Sequence, residues 1–173
     1  MFAAELAAAH PDRFSHVVLA SPFGLWDAAN PVTDLFTVSR IELASCLYAD
    51  PDNKEAVALA AAPEARMTEV DPDTEDGKAT INYLVERAKS MSTAAKYLWP
   101  IPNRGLKKRL HRVKQPALVI WGESDGIIPS SYAHLFTTQM QNASTHIISN
   151  AAHMVIDEQP DPVANLIESL LTN

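Results

Sequence analysis

Two residues stand where acid–base chemistry could be done. Asp125 lies in the turn Gly122-Glu123-Ser124-Asp125-Gly126-Ile127-Ile128-Pro129, straight after the apolar run Pro116-Ala117-Leu118-Val119-Ile120-Trp121. His153 lies in Asn150-Ala151-Ala152-His153-Met154, after the weaker run Ser144-Thr145-His146-Ile147-Ile148. Short apolar runs of this kind read as strands buried in a parallel sheet. Both residues therefore fall just past the carboxyl end of a strand, the edge at which open α/β sheets hold ligands and catalytic groups. On adjacent strand ends an Asp and a His can meet. The Asp then selects the imidazole tautomer and stabilises the imidazolium, as acyl transfer requires. Asp27 follows Ser21-Pro22-Phe23-Gly24-Leu25-Trp26, beyond a first run His16-Val17-Val18-Leu19-Ala20, and is the reserve acid. Glu158 reads as a structural residue on the approach to the last helix.

The Asp125 turn also spells G-x-S-x-G, centred on Ser124. That pattern can mark a nucleophile on a sharp strand-to-helix turn. Here Ile127-Ile128-Pro129 delays any helix, and the short remainder holds one strand from which to draw an acid and a histidine. The turn is therefore read as an acid turn, with Asp125 rather than Ser124 as its chemical residue. His10, His16, His111, His134 and His146 show no metal-ligand spacing with each other or with Cys46, so no metal or other cofactor is expected. The run Arg104, Lys107, Lys108, Arg109, Arg112 and Lys114 lacks interleaved aromatics and reads as a solvated face.

The elements that must position these groups alternate at the two ends of the chain. Phe2 to His10 is Ala-rich and helix-prone, stopped by Pro11. Ser131 to Gln141 is a helix candidate between the second and third strands, with Ala133, Phe136 and Met140 at helical spacing. Val163, Leu166, Ile167, Leu170 and Leu171 form the stripe of a final amphipathic helix, with Asp161 as its expected cap. Strand–helix alternation predicts an α/β sheet protein. The middle reads as helical. Asp52 and Glu55 have capping-box spacing ahead of an apolar segment, and the acidic stretch Asp71–Asp76 precedes a long stripe through Ile81, Leu84, Val85, Ala88, Met91, Ala95 and Leu98. Its aromatics, Phe36, Tyr48, Tyr83, Tyr97 and Trp99, are expected in the core.

The length of 173 residues is that of one domain, enough for a core without staples. The net charge of -7 argues against a nucleic-acid partner, and the one cysteine rules out an internal disulfide. No apolar run is long enough to span a membrane and no signal pattern opens the chain, so a cytoplasmic protein without a membrane partner is expected.

The order Gly122-x-x-Asp125-x-x-x-Pro129, helix, strand, His153, Glu158-Gln159-Pro160 resembles the C-terminal part of the α/β-hydrolase fold family. The opening Ala3-Ala4-Glu5-Leu6-Ala7, His10-Pro11-Asp12-Arg13 and Val17–Pro22 is similar to the helix and strand that follow the family's nucleophile elbow. Ala152 stands where the family usually has Gly. The resemblance implies a partial α/β-hydrolase fold: residues 1–29 and 115–173 as a parallel-sheet core with flanking helices, and 30–114 as an all-helical lid. It implies Asp125 as acid and His153 as general base. The nucleophile, Ser or Asp, would lie upstream, none being present in this chain. Phe23, Trp26, Tyr97 and Trp99 would line a pocket for a small neutral or hydrophobic substrate, cleaved at an ester, an amide or a carbon–carbon bond next to a carbonyl. The alternative is an inactive truncated fragment, or a binding module completed by a partner.

A first strand left without a neighbour is an apolar open edge that invites self-association. The isolated chain is expected to self-associate in light scattering and to leave activated esters unhydrolysed. A fluorophosphonate is expected to leave Ser124 unmodified; an adduct mass on Ser124 would overturn the acid-turn reading.

Overall fold

The computed structural model describes residues 1–61, 71–98 and 105–172. Three parallel strands form one sheet in the order β1 (Val17–Ala20), β2 (Ala117–Gly122), β3 (Ala143–Ile148). Val17 pairs with Ala117, and Ala117 with Ala143, so the three strands start level; β1 ends at Ala20 opposite Ile120, while β2 and β3 run two residues further and end side by side at Gly122 and Ile148. Every residue of β2 is buried. The two-residue period of a strand splits its side chains between two cores. Ala117, Val119 and Trp121 pack with Ala4, Ala7 and Ala8 of helix α1 (Phe2–Ala9) and with Tyr132 and Phe136 of helix α5 (Tyr132–Thr137). Leu118 and Ile120 pack on the opposite face with Val155, which opens the short helix α6 (Val155–Glu158), and with Val163.

The second face is covered by α7 (Pro160–Thr172), whose Leu166, Ile167 and Leu170 lean on the sheet as the periodicity predicted; Leu171 points away and is exposed. Pro160 opens that helix, so Asp161 lies in its first turn rather than at its cap. Pro suits this position because its missing N–H would have had no partner there. β3 departs from expectation. It pairs over its whole length with β2, yet its middle residues are exposed. Helix α5 is also shorter than Ser131–Gln141.

Between β1 and β2 the described residues hold helices and no strand. Helix α2 (Arg40–Leu47) starts on a capping box of Ser39 and Glu42. Helix α3 (Lys54–Ala60) is capped by Asn53, which accepts from the Glu55 N–H, and not by Asp52. These two helices share a small core of Ala44, Tyr48 and Ala56, to which Met154 adds from the far end of the chain. Helix α4 (Glu75–Leu98) forms as its acidic start and long stripe predicted, but its one buried residue is Gly77. Ile81 and Val85 are 41% and 45% exposed, so the stripe does not serve as a core face among the described residues. Tyr83 and Tyr97 are exposed as well, whereas Phe36 is half-buried and Tyr48 reaches a core. Arg109 is not simply solvated: its guanidinium grips the Glu5 carboxylate through two hydrogen bonds of 2.6 and 2.8 Å, fastening α1 to the segment before β2.

Candidate active site

β2 ends on Gly122 and the chain turns sharply. Trp121 is fully buried, and its indole N–H donates to the Ile128 carbonyl at 3.0 Å, so the turn folds back over the strand that leads into it. Within the turn, the Asp125 carboxylate has no exposed surface. Its Oδ1 accepts the backbone N–H groups of Ile127 and Ile128, each at 2.9 Å. Its Oδ2 lies 2.9 Å from His153 Nδ1. The His153 side chain is 16% exposed, and the Phe23 ring meets its ring in a T-shaped contact at 5.8 Å between centroids.

The arrangement sets the chemistry. A buried carboxylate without partners would cost several kcal/mol. Here three N–H groups satisfy it and orient it. With Nδ1 directed at a carboxylate, the imidazole carries its proton on that nitrogen and presents a basic Nε2 on the other side.

The two glycines of G-x-S-x-G have separate reasons. A methyl group on Gly122 would collide with the carbonyl oxygens of Ala151 and Ala152, and one on Gly126 would press into the Cys46 backbone at 2.7 Å. The first makes room for the His153 turn and the second for α2. Ser124 is exposed, its N–H bound to the Ala151 carbonyl at 3.0 Å, and no helix follows it directly. Asp27 is placed elsewhere. Its carboxylate closes a surface turn with the Asn30 side chain and the Ala29 N–H, which hold it below the usual carboxylate range. The Tyr132 hydroxyl anchors that loop by accepting the Asp27 N–H at 2.8 Å and donating to the Asn30 carbonyl at 2.9 Å.

Of the expected pocket residues, Phe23 reaches the Asp–His pair. Trp26 packs against the main core, and Tyr97 stands edge-on to Phe2. Trp99 lies outside the described residues. An apolar groove of about 730 Å³ between α2 and α3 opens beside the Asp125 turn, with Ile41, Ala44, Tyr48 and Val57 in its walls and Ser124 at its border. Burial, then the charges of Glu42 and Asp125, push the nearby Cys46 thiol up and keep it protonated at neutral pH. Among the described residues no cluster of three or more His, Cys, Asp or Glu could hold a metal ion, and no helix is long and apolar enough to cross a membrane.

A family model described as the alpha/beta hydrolase fold matches residues 1–160. The chain belongs to the alpha/beta hydrolase fold family. Within that family, 68 residues are 28% identical to monoacylglycerol lipase ABHD6 of Mus musculus, a match over 39% of this chain and 20% of the lipase. A second match, over 66 residues at 30% identity, is to the pimeloyl-(acyl-carrier protein) methyl ester esterase of Serratia marcescens and covers 38% of this chain and 26% of the esterase. The fold aligns with 2-hydroxy-6-oxo-6-phenylhexa-2,4-dienoate hydrolase from Rhodococcus sp. strain RHA1 at a TM-score of 0.64 and 19% identity, over 100% of this chain and 62% of that one. Naproxen esterase from Bacillus subtilis aligns at 0.59 and 17% identity, over 97% and 55%. These relatives are named as hydrolases, and this chain of the alpha/beta hydrolase fold spans only part of each.

Sequence reasoning assigned Glu158 a structural part without finding its partners. Its Oε2 accepts the Ala152 N–H at 2.7 Å, and its Oε1 accepts the N–H groups of Ala49 at 2.7 Å and Asp50 at 3.3 Å. The available signal was a carboxylate five residues past the His, directly before Gln159-Pro160. Because Gly122 supports the His turn by contact, Gly122→Ala is expected to destabilise the fold by about 2 kcal/mol or more. Urea unfolding checks this, and a change below about 0.5 kcal/mol, the range of neutral surface substitutions, would show that the close approach is not needed.

Proposed function

We propose that this chain supplies the acid and the general base of a nucleophile–His–Asp hydrolase acting on esters of small neutral or hydrophobic compounds. Asp125 is the acid, His153 the base, and a serine outside residues 1–173 the nucleophile. The observation that carries the reading is the 2.9 Å contact between His153 Nδ1 and a fully buried, backbone-braced Asp125 carboxylate at adjacent strand ends. The names of the mouse lipase and the Serratia esterase favour an ester over an amide or a carbon–carbon bond. The apolar groove beside the Asp125 turn suits a hydrocarbon part of the substrate, and residues 30–114 act as the lid.

In this mechanism His153 Nε2 takes the hydroxyl proton of the serine as its oxygen bonds to the ester carbonyl carbon. Asp125 stabilises the imidazolium so formed. The same proton passes to the departing alkoxide as the carbon–oxygen bond breaks, leaving an acyl-enzyme. A water then repeats the sequence: His153 takes its proton, the hydroxyl joins the acyl carbon, and the proton returns to the serine as the acid leaves. The Phe23 ring packs against the imidazole in a T-shaped contact beside the Asp–His pair.

The test is turnover of a p-nitrophenyl ester by the polypeptide that carries both this chain and the serine. Asp125→Asn keeps an acceptor for Ile127 and Ile128 but offers its amide to Nδ1 and so selects the wrong tautomer, with an expected loss in kcat of about 10⁴-fold. His153→Ala is expected to lose at least as much. Turnover retained in His153→Ala would overturn the proposal.

A further inference from the structure

His153 is held through the backbone on both sides. The N–H before it, of Ala152, goes to Glu158 Oε2 at 2.7 Å, and the N–H after it, of Met154, goes to the Leu47 carbonyl at 3.0 Å. The Asp125 turn is held by the same helix, because the Gly126 N–H donates to the Cys46 carbonyl at 3.1 Å. Cys46 and Leu47 end α2, where the last carbonyls have no partners within the helix. Two of those carbonyls therefore clasp the two turns that carry Asp125 and His153. Glu158 closes the clasp. One carboxylate oxygen holds the His turn and the other holds Ala49 and Asp50, the residues just beyond the end of α2. Hydrogen bonds to an ionised acceptor are about twice as strong as neutral ones.

We propose that Glu158 is a positioning residue for His153: it locks the His turn to the C-terminal end of α2, making that end part of the rigid frame of the Asp–His pair. This rests on the assignment of that pair above. The frame explains why the first helix between β1 and β2 is fixed at its end to both turns, through the Cys46 and Leu47 carbonyls. An imidazole mounted on a loop that can drift by an ångström would lose its line to Asp125. Glu158 removes that drift without touching the ring.

The experiment follows the His153 Nδ1 proton by NMR in the ¹⁵N-histidine-labelled polypeptide that carries both this chain and the serine, assigned by its loss in His153→Gln. In Glu158→Ala its exchange with water is expected to rise at least tenfold. Glu158→Gln keeps one acceptor oxygen, so it holds one side of the clasp, and the expected rise is smaller. Glu5→Ala breaks an ion pair elsewhere and is expected to leave the rate unchanged. Circular dichroism establishes that each variant is folded. An exchange rate in Glu158→Ala equal to that of the wild type, or an equal rise in Glu5→Ala, would overturn the positioning role. Should Glu158→Ala fail to fold, an unchanged rate in folded Glu158→Gln would overturn it. A His153 signal that is the same in Asp125→Asn as in the wild type would instead defeat the Asp–His assignment itself.

Discussion

A carboxylate shut away from water has to receive all its hydrogen bonds from the protein. The structure around Asp125 is arranged to meet that demand. Two consecutive N–H groups of the turn take one oxygen, and the imidazole of His153 takes the other. To present those N–H groups, the turn must fold back on β2, and the Trp121 indole pins it there through the Ile128 carbonyl. To present the imidazole, the turn after β3 must approach β2 so closely that residue 122 has no room for a side chain. The sheet register completes the arrangement by ending β2 and β3 side by side.

The same stretch shows how one residue pattern can arise from different physical causes. G-x-S-x-G marks a strained elbow when a helix follows at once and the serine is thrust out of the turn. In this chain Gly122 yields to the Ala151 and Ala152 carbonyls and Gly126 yields to the backbone of α2. The glycines answer to neighbours far away in sequence, and the serine between them is incidental to both contacts.

Helix α2 joins the two turns into one body. Its terminal carbonyls need donors, and the turns need acceptors for N–H groups that no strand pairs. Each supplies what the other lacks. The contrast with α4 is instructive. That helix has a longer apolar stripe, yet Ile81 and Val85 remain largely exposed while short α2 is tied to the site. Periodicity reports the capacity of a helix to bury a face and not which surface receives it.

Local chemistry by itself determined a good part of this protein. The apolar run Ala117–Trp121 read as a strand buried on both faces, the stripe Val163–Leu171 read as an amphipathic helix, and Asp125 and His153 were legible as residues just past strand ends. Their alternation was enough to read an α/β sheet. Tertiary structure decided what depends on distant partners. It exposed the middle of β3, which follows from its place at the end of the described sheet. It drew Asp27 into a surface turn with Asn30, and paired Arg109 with Glu5. It also gave Glu158 its three backbone donors, two from just beyond the end of α2 and one from the His turn. Strands and helices are written in neighbouring residues because their hydrogen bonds and periodic faces are local or regular. The partners of a single carboxylate are set by which surfaces close packing brings within 3 Å, and no local pattern records that.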